Sequence, residues 1–108
     1  MPLIDETPHL TLYRDGLANL NGAAGRALGR AVGVNLAAPG APGGRWQLLP
    51  VDYEQPGMLT LYTSDRGAQR FRAYALATAV FALLPESQKK FSMTLNPTAG
   101  NRFWLVAA

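Results

Sequence analysis

The chain of 108 residues contains no cysteine and one histidine, His9. The missing thiols exclude a disulfide framework, thiolate zinc or iron–sulfur ligation, and thiol catalysis together. A lone histidine cannot build a multi-histidine metal site within one chain. His9 reads instead as a surface or strand-end residue rather than a member of a triad. Neither a Gly-x-x-x-x-Gly-Lys phosphate loop nor a Gly-x-Gly-x-x-Gly fingerprint occurs, and the glycines of 40–44 belong to a proline-bearing connection. The seven carboxylates, Asp5, Glu6, Asp15, Asp52, Glu54, Asp65 and Glu86, fall mostly where turns and caps favour acids. The expectation is a protein without catalysis, cofactor or metal.

Long hydrophobic runs are scarce too. The longest, Ala73 to Leu84, is broken by Thr78 and is shorter than the roughly 20 residues that span a membrane. The opening Met1-Pro2-Leu3-Ile4-Asp5-Glu6 has neither a basic region nor an apolar one, so a cytoplasmic location away from membranes is expected. What is present is an ordinary globular composition, 48% hydrophobic and 16% charged. Ten bases against seven acids give a net charge of +3, and eight of the ten are arginine. Arginine holds planar anions through a fork that lysine lacks.

The chain repeats itself. Leu10-Thr11-Leu12-Tyr13-Arg14-Asp15-Gly16 recurs as Leu59-Thr60-Leu61-Tyr62-Thr63-Ser64-Asp65-Arg66-Gly67. Each copy is an alternating strand pattern closed by an Asp/Gly turn, and an Ala-rich stretch follows each. Further along, Val32-Gly33-Val34-Asn35-Leu36-Ala37-Ala38-Pro39 answers to Phe91-Ser92-Met93-Thr94-Leu95-Asn96-Pro97. Arg45-Trp46-Gln47-Leu48-Leu49 likewise answers to Arg102-Phe103-Trp104-Leu105-Val106. Each half reads strand, helix, hairpin, and Tyr53 to Gly57 forms a tight polar connection between them.

The first helix is expected from its N-cap Asn21 to about Ala31, weakened by Gly22, Gly25 and Gly29 at roughly 1 kcal/mol each relative to Ala. The second is expected over about 68–84, capped by Ser64 or Asp65 and stopped by Pro85. It is apolar almost all round from Ala73, which makes it the buried central helix, with Phe71, Leu76, Val80, Phe81, Leu83 and Leu84 in the core. The expected fold is α+β: one domain, 1–108, of two β-α-β-β repeats (about 9–52 and 58–108) packed as one pseudo-symmetric sheet or small barrel around that helix.

From Leu10 to about Asp52 the chain resembles the AbrB/MazE-type swapped-hairpin DNA-binding domains. The resemblance rests on the turn Arg14-Asp15-Gly16, Leu17 to Leu20 as a short strand, Ala27-Leu28-Gly29 ending a short helix, and Gly33-Val34-Asn35-Leu36 with the Trp46 strand as a hairpin. Leu17 stands where such domains usually carry a base, Asn21-Gly22 replaces their proline, and Gly33-Val34 replaces Gly-Asp. The second half has the longer helix and no short second strand, so the likeness belongs to the first half. Because such domains pair two short chains into one intertwined barrel, the resemblance implies that a duplicated chain forms a self-contained pseudo-dimer. A homodimer is the other assembly compatible with it.

Arginines carry the functional expectation. Arg66, Arg70 and Arg72 cluster at the start of the expected second helix, where bases are disfavoured by the dipole and a phosphate would be welcome. Two residues apart, Arg70 and Arg72 cannot share a narrow helix face. Arg26 and Arg30 do share one on the first helix, with Arg14 nearby. Trp46 and Trp104, at matching places in the repeat, alternate with Leu48 and Val106 as core aromatics. The other reading makes them, with Phe103 and Tyr62, a platform for unpaired bases. DNA or RNA held through Arg14, Arg26, Arg30, Arg66, Arg70 and Arg72, in a regulator without catalysis, is the leading expectation. The alternative is a protein-interaction or assembly module pairing through exposed strand edges.

Overall fold

A computed structural model describes residues 7–41, 44–64 and 68–107. Its chain order is β1 (His9–Tyr13), β2 (Leu17–Leu20), α1 (Gly22–Leu28), β3 (Gly33–Ala37) and β4 (Trp46–Val51), then β5 (Leu59–Thr60), β6 (Tyr62–Thr63), β7 (Gln69–Arg72), α2 (Tyr74–Phe81), β8 (Lys90–Thr98) and β9 (Arg102–Ala107). Strand accounts for 45% and helix for 16% of the described residues. The nine strands form one sheet in the order β5-β3-β4-β9-β8-β1-β2-β7-β6, every neighbouring pair antiparallel. Its two ends, β5 and β6, are separated by Leu61 alone, so the sheet curls into a nearly closed barrel. The Leu61 amide donates to the Val32 carbonyl at 3.0 Å, tying that junction back to the strand beside it.

This overturns the expectation of an α+β fold with two β-α-β-β repeats around a buried helix at 68–84. Each half has a second strand before its helix. In the second half that strand is β7, lying within the segment expected to begin the helix. The cause is a period-two pattern: Gln69 and Phe71 alternate with exposed Arg70 and Arg72, and Phe71 is fully buried. Pairing of this stretch with both β2 and β6 outweighs the helical propensity of its surroundings. The remaining helix, α2, buries only Leu76, Ala77 and Phe81, and Leu83 just beyond it is 87% exposed. The core is instead the barrel interior, where Leu10, Leu12, Ala18, Val34, Leu48, Phe71, Leu95 and Leu105 pack together with one side of each helix.

The strand pairing is unchanged when the halves are exchanged. Val34 faces Leu59 and Gly33 faces Thr60, while Met93 faces Leu10 and Ser92 faces Thr11. Those are matching positions of the repeated Leu-Thr-Leu-Tyr and hairpin segments. Leu12 faces Ala18, and Tyr62, one residue past the matching Leu61, faces Arg70. Ala18 and Phe71 are therefore counterparts, and they face each other across the β2–β7 seam. Gln47 and Trp104 are counterparts facing each other across the β4–β9 seam. Trp104 thus matches Gln47, and Trp46 matches Phe103, which corrects the expected match of Trp46 with Trp104.

Local chemistry places the connections. The β1–β2 turn closes with the Gly16 amide donating to the Tyr13 carbonyl at 2.9 Å, and Gly16 sits at φ +99°, which favours glycine. Asn21 caps α1: its Oδ1 accepts from the Ala24 amide at 2.8 Å and the His9 amide at 3.1 Å, and its Nδ2 donates to the Thr7 carbonyl at 2.8 Å. The helix stops at Gly29, φ +64°, short of the expected Ala31.

Candidate nucleic-acid interface

On β7 the side chains of Arg70 and Arg72 leave the same, outward face, because alternate residues of a strand share a side. The reading that kept them apart on a helix is corrected by this strand geometry. Arg72 faces Leu17, while Arg70 lies between Asn19 of β2 and Tyr62 of β6. Among the described residues, neither guanidinium makes a hydrogen bond or ion pair. Both line an open cleft of about 610 Å³ with Tyr62, Tyr74, Thr60, Thr63 and the apolar Leu17, Met58, Leu59 and Phe71. Among the described residues no carboxylate lines it.

Tyr62 and Tyr74 are 59% and 61% exposed. Tyr74 opens α2, and its ring leans on the β1–β2 turn: a Cβ placed on Gly16 would lie 2.6 Å from Tyr74 Cδ1. The Ala73 amide donates to the Gly16 carbonyl at 2.7 Å, holding the helix start against the same turn. Ser64, an expected cap of that helix, instead accepts from the Ala68 amide at 3.1 Å within the β6–β7 connection. Asp65 and Arg66 lie outside the described residues.

Of the other expected arginines, Arg14, Arg26 and Arg30 do not join this pair in the cleft. Arg14 is committed elsewhere. Its Nη2 donates to the carbonyls of Pro85 at 2.7 Å and Gln88 at 2.9 Å, its Nε donates to Gln88 at 3.1 Å, and the guanidinium lies 4.7 Å from the centre of the Phe81 ring. It fastens the segment after α2 to the first hairpin. Arg26, exposed on α1, is also engaged and borders a separate groove with Gly22, Gly25, Gly29, Ala68 and Gln69. Arg30 is exposed just beyond that helix.

Of the expected stacking aromatics, Phe103 is buried in the barrel, and Trp46 and Trp104 are half-buried. The exposed rings are Tyr53, Tyr62 and Tyr74, of which Tyr62 and Tyr74 line the cleft. Tyr62 was marked by its repeat, but Tyr74 was hidden within a supposedly buried helix. A break in the pattern at Ala73, where alternation gives way to helical spacing, is the signal that could have exposed it. Lys89 and Lys90, which resemble edge-strand guards, precede or begin a strand paired on both sides.

Among the described residues no three His, Cys, Asp or Glu side chains group to hold a metal ion. No helix among them is long and apolar enough to cross a membrane. The described lining of the cleft offers cationic contact through Arg70 and Arg72 and aromatic contact through Tyr62 and Tyr74. No family model, curated protein or solved structure matches the chain.

Proposed function

We propose that this is a non-catalytic nucleic-acid-binding protein that holds sugar–phosphate backbone on the outer face of β7. The observation that carries the reading is the pair Arg70 and Arg72, side by side on an exposed strand face, without acidic partners among the described residues. Unpaired arginine forks suit phosphate oxygens, and the +3 net charge adds weak steering toward a polyanion. The order strand, Gly turn, short strand, short helix and hairpin over residues 9–51 supports the resemblance to AbrB/MazE-type domains. The exchangeable strand pairing supports an internal pseudo-dimer. A cytoplasmic regulator is the setting that goes with this reading.

The test is a titration of labelled DNA and RNA, duplex and single-stranded, across a salt series. Binding is expected to weaken linearly on a log–log plot, and removing both arginines should reduce the slope by up to about two counterions. An absence of salt-dependent binding to every one of these polymers would sink the proposal.

A further inference from the structure

We infer that the β7 cleft takes a single strand of nucleic acid, with unpaired bases stacked on Tyr62 and Tyr74 while Arg70 and Arg72 hold its phosphates. This rests on the proposed nucleic-acid reading and narrows its ligand class. Scattered surface aromatics are ordinary, but here two tyrosines more than half exposed share one cleft with two arginines that have no hydrogen-bond or ionic partner among the described residues. Neither phenol hydroxyl hydrogen-bonds to a described residue, so the rings are not turned outward to satisfy a polar contact. Tyr74 is held in place from one side, since the bare backbone of Gly16 lets the ring settle on the turn. A pre-positioned ring loses little freedom when a base stacks on it.

Two further features select a single strand over a duplex. Bases in a duplex are already stacked on one another, and only unpaired bases offer a face to an aromatic side chain. The arginine pair of β7 also has no counterpart on β2. Exchanging the halves carries Arg70 and Arg72 onto Leu17 and Asn19, so the barrel's two-fold pairing is not matched by two-fold charge. Symmetric readers of duplex DNA place equivalent contacts on two half-sites, whereas this surface offers one track.

The experiment measures anisotropy of three labelled ligands of about a dozen nucleotides with the full chain: an intact single strand, an abasic strand of the same length, and a duplex. The intact strand should bind at least about tenfold more tightly than the abasic one, because each stacked base contributes roughly a 5- to 150-fold factor. Tyr62→Ala with Tyr74→Ala should erase that preference while leaving the abasic affinity in place. Tyr62→Phe with Tyr74→Phe should keep it, and the comparison of ligands on the unaltered protein needs no variant at all. Equal affinity for intact and abasic strands, or a preference for the duplex, would overturn the stacking inference and leave the arginine reading standing. Loss of salt-dependent binding to all three would remove both.

Discussion

At the β2–β7 seam the first half contributes Ala18 and the second contributes Phe71, facing each other in the core. At the β4–β9 seam the same exchange sets Gln47 against Trp104. A barrel of two identical halves would have to place like against like at both seams, two large rings or two small side chains. Joining the halves in one chain lifts that constraint, so one side supplies the volume and the other makes room. The outer surface shows the same division. The first half spends Arg14 on fastening the segment after α2 and caps α1 through Asn21. The second half starts α2 with no side-chain cap and leaves Arg70 and Arg72 exposed. Similar strand pairing thus supports a more self-contained half and a more open one.

The largest test of that division is Phe71→Ala, which empties a fully buried aromatic site and should cost about 3–5 kcal/mol in chemical denaturation. Moving the ring across the seam, with Ala18→Phe added to Phe71→Ala, should recover part of the loss. A double variant no more stable than the sum of the two single effects would mean that the sites do not share volume.

Next comes the pair Gly33 and Ser92. A Cβ on Gly33 would lie 2.7 Å from Met58 Sδ and 2.8 Å from the Leu59 carbonyl oxygen. Gly33→Ala should therefore open the β3–β5 closure at a cost of about 1–3 kcal/mol. Ser92→Ala, at the matching exposed position, should change stability by less than about 0.5 kcal/mol. Equal effects from the two substitutions would break the comparison.

Arg14→Ala removes three charge-assisted hydrogen bonds and a ring contact from the partly exposed junction after α2. A loss of about 1–2 kcal/mol in the melting transition is expected, without loss of the proposed nucleic-acid affinity beyond its one charge. Asn21→Ala should cost about 1 kcal/mol by removing the α1 cap. The smallest effect on stability belongs to Arg72→Ala, within about 0.5 kcal/mol, although it should weaken the proposed nucleic-acid binding. If Arg72→Ala destabilises the fold as much as Arg14→Ala does, the division between committed and available arginines fails.

Much of the barrel can be read from alternation. Leu10 and Leu12 point inward between His9, Thr11 and Tyr13, and the β8 and β9 segments show comparable periodicity. Asn21 and Gly29 mark the ends of α1 by cap chemistry alone. The stretch 69–72 misleads because it has only four residues and borders an Ala-rich run that favours helix. Its strand character depends on partners 49 to 55 residues away in the sequence, Leu17 to Leu20, which no local pattern reports. For the same reason the arginines are assigned to a helix start, when their shared strand face is what puts them side by side.

The sequence by itself determined the lack of thiol chemistry, the duplicated strand segments, the turn and cap positions, and the excess of arginine. These follow from composition and from interactions within a few residues. Tertiary structure alone decided that β7 is a strand, that Phe71 fills the space opposite Ala18, that Arg14 is committed while Arg70 and Arg72 meet no partner among the described residues, and that two tyrosines share their cleft. Each of those outcomes depends on which distant segment a residue is packed against, and that is settled only when the sheet closes.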